Sequence, residues 1–181
     1  MNIFLTSDHH FSQDDILTFK RDSKKMLRNF DSVPEMDEHM IEMHNKVVGK
    51  NDKCYFLGDL CSSSKAYNKI MPRLNGSKIL IKGNHDTLKM SQYMKYFKDV
   101  RSCYKLDGFV LTHVPIHPGS LGNKTIANVH GHLHQRAVST EIAALYGTES
   151  RSMEDTRYYN VSVERHFYTP VSFDDIKSLY S

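Results

Sequence analysis

The sequence predicts an α/β fold, and three observations predict it. Short apolar runs of strand length recur along the chain, helix-period segments separate several of them, and five of the runs stop at Asp, Asn or His. Loops at one edge of a sheet are where open and layered α/β folds place their sites, so five polar strand ends point to one site assembled from distant segments. At 181 residues and 39% hydrophobic content, the chain has the length of one domain and apolar material for one substantial core. No internal repeat or interdomain linker divides it, so residues 1–181 are expected to form a single domain.

Composition narrows the function. The 24 basic and 21 acidic residues leave a net charge of +3, which permits an anionic substrate without demanding nucleic acid. Cys54, Cys61 and Cys103 form no CxxC pair, which argues against a disulfide framework or a cysteine-rich zinc module and predicts a reducing, cytoplasmic setting. The N-terminus lacks a basic n-region, its apolar run is too short for a signal peptide, and no segment approaches a membrane span, so no membrane association is expected. Eleven histidines stand out, several beside Asp, Asn or Gly, a pattern of metal or proton chemistry.

The first strand, Ile3 to Thr6, ends in Ser7-Asp8-His9-His10. Residues two apart in an extended segment face the same way, so Asp8 and His10 can meet one ion while His9 points outward or supports the site. Residues 13–28 read as a solvated charged surface carrying Lys20, Arg21, Lys24, Lys25 and Arg28. Helix-start chemistry from Ser32 to Asp37, followed by Met36, Met40, Ile41, Met43, His44, Val47 and Val48 at helical spacing, predicts a helix from Pro34 to Val48. Its methionines fill core, and His39 and His44 are structural.

A second strand, Lys53 to Leu57, ends in Gly58-Asp59, where the glycine lets the acidic residue approach a metal unobstructed. Cys61 has no neighbouring base and reads as a small buried residue. Ser62-Ser63-Ser64 forms a loop or cap before a helix over Ala66 to Leu74, which stops at Asn75-Gly76. The third strand, Ile79 to Ile81, closes in Lys82-Gly83-Asn84-His85-Asp86, a glycine turn that delivers an amide, an imidazole and a carboxylate in succession.

Met90 to Tyr104 interleaves Lys95, Lys98 and Arg101 with Tyr93, Tyr96, Phe97 and Tyr104, the pattern of an amphipathic helix with an aromatic core face. A second reading makes residues 89–105 a nucleic-acid-binding surface with bases stacked on the rings. The fourth strand, Phe109 to Thr112, delivers His113, which Pro115 and Pro118 hold in a rigid loop, while His117 reaches substrate or solvent. The fifth, Ile126 to Val129, leads into His130-Gly131-His132-Leu133-His134, where His132 and His134 repeat the spacing of Asp8 and His10 and His130 stands beside the site. Residues 135–157 are polar, with a short helix over 141–146 and a flexible loop over 147–155 as a lid or oligomer contact. Tyr158 to Val163 returns to strand alternation, and Ser172 to Ile176 opens a closing helix.

Imidazole, carboxylate and one amide oxygen, without thiolate, suit manganese, iron, zinc and related ions, and seven candidate ligands exceed the four of a structural zinc site. In their order, Asp8-x-His10, Gly58-Asp59, Gly83-Asn84-His85-Asp86, His113 and Gly131-His132-x-His134 resemble the five motif blocks of the calcineurin-like metallophosphoesterases. Met36-Asp37-Glu38, Asp52 to Asp59, and Asn160 to Val163 through Pro170-Val171-Ser172 are similar to a small bacterial and phage branch of predicted phosphoesterases. Two places depart from that branch: Ser12-Gln13 stands where it reads Gly-His, and the segment 135–157 is longer.

The resemblance implies a four-layer α/β/β/α sandwich and dinuclear-metal-dependent hydrolysis of phosphomonoesters or phosphodiesters, with nucleotides or nucleic-acid ends among the substrates. It implies two divalent ions, manganese first, with iron, zinc, nickel or magnesium as alternatives. Asp8, His10, Asp59 and His134 would surround one, and Asp59, Asn84, His113 and His132 the other, with Asp59 as the bridge. A hydroxide between the ions would attack phosphorus in line. His85 would protonate the leaving alkoxide, with Asp86 orienting its ring and favouring the imidazolium. The competing class is a non-catalytic interaction module on the same fold. Such a module is expected to lack ligands, whereas this chain keeps all seven positions.

Overall fold

The computed structural model describes residues 1–142 and 151–181. Four parallel strands form its centre: β1 (Ile3–Thr6), β2 (Lys53–Phe56), β3 (Ser77–Ile81) and β4 (Phe97–Arg101), with β11 (Val171–Ser172) antiparallel to β1, in the order β11-β1-β2-β3-β4. A second sheet has β5 (Cys103–Leu106), β6 (Phe109–Thr112), β7 (Asn128–His130) and β10 (Tyr158–Asn160) in the order β10-β7-β6-β5. There β6, β7 and β10 are parallel, and β5 pairs antiparallel with β6. A third, two-stranded sheet pairs β8 (Ser139–Ile142) antiparallel with β9 (Arg151–Glu154).

Strand alternation builds the layers. Phe4, Cys54, Phe56 and Leu80 face one way into a core shared with the helices, and Leu5, Tyr55, Leu57, Ile79 and Ile81 face the second sheet. From that sheet Phe109, Leu111 and Val129 complete the core between the sheets. The helical layer is α1 (Val33–Val47), with Met36, Met40, Ile41 and His44 as its buried stripe, and α2 (Ser64–Ile70), with Ala66, Tyr67 and Ile70. Ser32 caps α1 by accepting the Glu35 amide at 3.3 Å, and Ser63 caps α2 through the Ala66 amide at 3.1 Å. Beside the second sheet, α4 (Phe173–Ser178) sets Phe173 edge-on to Phe109 at 5.3 Å. The molecule is an α/β sandwich of two largely parallel sheets flanked by helices, the expected fold class. Among the described residues, no helix is long and apolar enough to cross a membrane.

Three local expectations are corrected. Met90 to Tyr104 is not one helix: a single turn, α3 (Met90–Tyr93), is followed by β4 and β5. The parallel edge of β3 recruits residues 97–101, and Tyr93 and Phe97 turn into the core, so neither ring is presented for base stacking. The helix expected to Leu74 gives way after Ile70 to a 3-10 turn, Met71–Arg73, because Pro72 has no amide to continue the ladder. Residues 141 and 142 belong to β8, where a helix over 141–146 was expected, and Arg151–Glu154 to β9, where a loop over 147–155 was expected, with Asp155 just outside the strand; residues 143–150 lie outside the described residues.

The sheets meet at one corner. Beyond β1, the Ser7 amide donates to Val161 O at 3.1 Å and the Val163 amide donates to Ser7 O at 3.2 Å. This stitch sets the polar end of β1 against the ends of β7 and β10.

Candidate metal centre

Three of the five polar strand ends leave the sheet through residues in left-handed conformation. Asp8 (φ 60°), His10 (50°), Asp59 (55°), His132 (68°) and His134 (51°) all have positive φ. For residues with a Cβ this conformation costs on the order of 1 kcal/mol each, and such residues gather where the surrounding structure overdetermines them. The convergence of Asp8 with His10 is therefore the work of a tight turn, not of an extended pleat. His132 and His134 do not share a target. Two groups form, Asp8–His10–His134 and Asp59–His113–His132, and in each the ligand atoms lie within 4.8 Å of one another.

Asp59 joins the groups. Its Oδ2 stands 3.7 Å from His10 Nε2 and 3.2 Å from His113 Nε2, and its Oδ1 accepts the His85 amide at 2.9 Å. Asn84 Oδ1 lies 2.9 Å from His113 Nε2, on the side of the second group. Gly58 (φ 89°) makes the approach possible, because a Cβ there would fall 2.6 Å from Gly83 Cα and 2.6 Å from His113 Nδ1.

The imidazoles are oriented from behind. His10 Nδ1 meets Gln13 Oε1 at 2.9 Å, His113 Nδ1 meets Leu57 O at 2.7 Å, and His134 Nδ1 meets Glu164 Oε1 at 2.9 Å. With each Nδ1 proton given to an oxygen, Nε2 is left as the lone-pair donor toward the centre. Gln13 thus supports His10 from behind. Asp8 accepts the Ser7 hydroxyl at 2.6 Å and the His132 amide at 2.9 Å, with the Ser162 hydroxyl 2.8 Å away.

Two charged residues that the sequence did not single out hold this frame. Arg28, read as part of a solvated surface, is buried: it donates to His9 O at 2.6 Å and to Asp8 O, and pairs with Glu164 at 2.7 Å. Glu164 links Arg28 to His134. Although burial opposes its charge, the Arg28 guanidinium and the His134 ring hold its carboxyl down at about 2. Glu164 follows directly on Asn160-Val161-Ser162-Val163, the one sequence signal that could have found it. Arg28 had none.

The electrostatics fit cations. Burial lowers His10 and His132, keeping them neutral and ready to donate a lone pair. Burial also works against charge on His113 and Asp59, yet their mutual contact wins, raising His113 to about 8 and lowering Asp59, so a cation taken up at His113 Nε2 would displace a proton. His10 Nε2 is buried without a hydrogen-bond partner and is aimed at Asp59, as expected of a ligand atom. Two Asp/His groups of oxygen and imidazole donors could each hold a metal ion.

The remaining expectations sort as follows. His85 is exposed at the mouth, its ring centroid 5.4 Å from that of His10. Asp86 does not touch the His85 ring: its carboxylate accepts the amides of Asp59 at 2.9 Å, Leu60 at 3.0 Å and Gly83 at 2.9 Å. It clamps the β2 and β3 ends together. Both carboxylate oxygens are taken up by backbone amides, so Asp86 braces the turn where an orienting contact to the His85 ring was expected. His9, expected outward or in support, is buried on Phe11 at 4.9 Å between ring centroids. His44 is structural, His130 is buried next to the site, and the exposed His117 belongs to neither group.

With that geometry established, comparison with known proteins gives a consistent result. The family model of calcineurin-like phosphoesterases matches residues 1–174. The chain is 33% identical over 180 residues to the uncharacterized protein MJ1445 of Methanocaldococcus jannaschii, covering 98% of this chain and 90% of that one. The crystal structure of AQ665, a protein of unknown function from Aquifex aeolicus, is similar with a TM-score of 0.69 at 22% identity, over 98% of each chain, and shares the fold.

Proposed function

The chain belongs to the calcineurin-like phosphoesterase family, and from that membership we propose that it hydrolyses phosphate esters with two divalent cations, manganese first among them. The observation that carries the reading is Asp59 Oδ2, set 3.7 Å from His10 Nε2 and 3.2 Å from His113 Nε2 between two Asp/His groups. Asp8, His10 and His134 would hold one ion, Asn84, His113 and His132 the other, and Asp59 both. Such a pair of ions neutralises charge at the phosphoryl oxygens and acidifies water at neutral pH.

The protein's own residues do the rest. The Ser7, Ser162 and His132 donors fix Asp8, and the Asp86 clamp fixes the turn that carries Asp59. His85 is pinned by its amide to Asp59 while its ring stays free at the mouth, where it protonates the leaving oxygen as the ester bond breaks. Nucleotides or nucleic-acid ends are the substrates this reading favours.

The test is an assay of the metal-loaded protein on nitrophenyl phosphate esters across manganese, iron, zinc, nickel and magnesium, with bound metal measured alongside. Turnover with at least one ion, and about two ions per chain, is expected. No turnover with any of them, together with less than one bound ion, would overturn the reading.

A further inference from the structure

Two separate grooves open onto the centre, and they share no lining residue. One, of about 660 Å³, is walled by His132 and His134 and continues over Phe19, Leu27, Lys20 and Arg136. The other, of about 500 Å³, is walled by Asn84 and His113 and continues over Lys82, Cys103, Val114 and Ile116. Each falls in the size range that holds a small organic group. A phosphomonoester has one organic substituent and would leave one groove unused. A phosphodiester has two, one for each groove, with phosphorus between them over the Asp59 bridge.

The walls agree with that assignment. Phe19 is 42% exposed and Val114 48%, so each groove offers an apolar surface that core packing has not consumed. Lys20 lies in the first groove and, among the described residues, has no carboxylate within ion-pair distance; Lys82 in the second is held over the Tyr93 ring, its Nζ 5.7 Å from the centroid. Arg136 differs, because Asp22 already holds it at 2.5 Å. An exposed apolar wall on both sides of the phosphoryl position, with a lysine among the lining residues of each groove, matches a substrate that carries an organic group in both directions.

We propose that the substrate is a phosphodiester joining two organic groups, of the dinucleotide or oligonucleotide kind, with one group seated against Phe19 and the other against Val114. The proposal rests on the hydrolase reading above. In the reaction, water adds oxygen to phosphorus, one ester P–O bond breaks, and the leaving oxygen takes a proton. The products are a phosphomonoester and an alcohol.

Kinetics and binding test it separately. With manganese loaded, kcat/KM for bis(para-nitrophenyl) phosphate should exceed that for para-nitrophenyl phosphate by roughly tenfold, which shares the leaving group and lacks the second substituent. Calorimetry with dithymidine monophosphate should show binding weakened roughly fivefold or more by Phe19→Ala, which removes one wall, and also by Val114→Trp, which fills the other groove. Thymidine monophosphate should respond to one substitution at most. If the monoester is the better substrate, or if either substitution leaves dinucleotide binding within about twofold, the proposal is overturned. Dinucleotide binding that depends on both walls, without turnover of any ester, would leave the two-groove assignment standing and remove the hydrolase reading instead.

Discussion

Glu164 is buried between a guanidinium and an imidazole, and its charge serves both. Glu164→Gln keeps the shape and removes the charge, leaving Arg28 buried without a counter-ion. Loss of one partner from such a pair costs about 3 kcal/mol or more, and His134 is left with a neutral amide oxygen in place of the carboxylate that strengthens its Nδ1–H bond. Denaturant unfolding should show that loss, and a metal titration should show affinity reduced by roughly 10- to 100-fold; a variant as stable and as avid as the parent would contradict the assignment. Asn84→Ala should weaken the ion on the His113 side. His85→Ala should leave metal content intact and slow most those esters with poor leaving groups, so equal losses across a leaving-group series would argue against the acid role. The seven candidate ligand positions were legible because each stands at or shortly after the end of an apolar run. Arg28 was not, because its burial depends on a carboxylate 136 residues away and on carbonyls in another segment, while its neighbours Lys24 and Lys25 do form a solvated surface.

Helix α1 carries a pH-sensitive contact at the element scale. His44, in its last turn, donates Nε2–H to Asn75 O at 3.0 Å and stacks on Phe56 at 5.6 Å, and burial lowers it from 6.5 to about 4. The unfolded chain therefore takes up this proton first as pH falls. The contribution is complete above about pH 6.5 and is lost as the pH drops toward 4, an effect of roughly 3 kcal/mol. His44→Phe should flatten that part of the stability profile between pH 7 and 4, as read by unfolding at each pH; an unchanged slope would place the sensitivity elsewhere. The β2–Asp59 turn makes a second prediction: Gly58→Ala forces a Cβ against Gly83 and His113 in a left-handed conformation, so it should cost more than about 1 kcal/mol and release metal as well. Elements with one long period were legible, α1 above all. Residues 90–104 were not, because Phe97, Val100 and Tyr104 satisfy a helical stripe while Phe97-Lys98-Asp99-Val100-Arg101 also serves as an edge strand, and the parallel edge of β3 decides the matter. The left-handed strand ends were equally hidden, since the enrichment of Asp and His at positive φ is too general to single out these positions.

At the scale of the molecule, the site exists only where the two sheets are stitched through Ser7, Val161 and Val163. One group of ligands draws on the ends of β1 and β7, the other on β2, β6 and β7, with Asp59 in reach of both. Cations that bind only the folded chain should therefore raise its melting temperature in proportion to the logarithm of their concentration. The order of the motif blocks was legible in the sequence and carried the fold class with it; the two grooves beside the centre were not, because their walls come from segments with no motif of their own. The most direct measurement is the manganese content of the purified chain and of Asp59→Asn after equilibrium dialysis. The account predicts two ions per chain in the parent and loss of more than one in the variant, because a single carboxylate serves both positions. One ion or none in the parent, or a variant that still holds two, would contradict it.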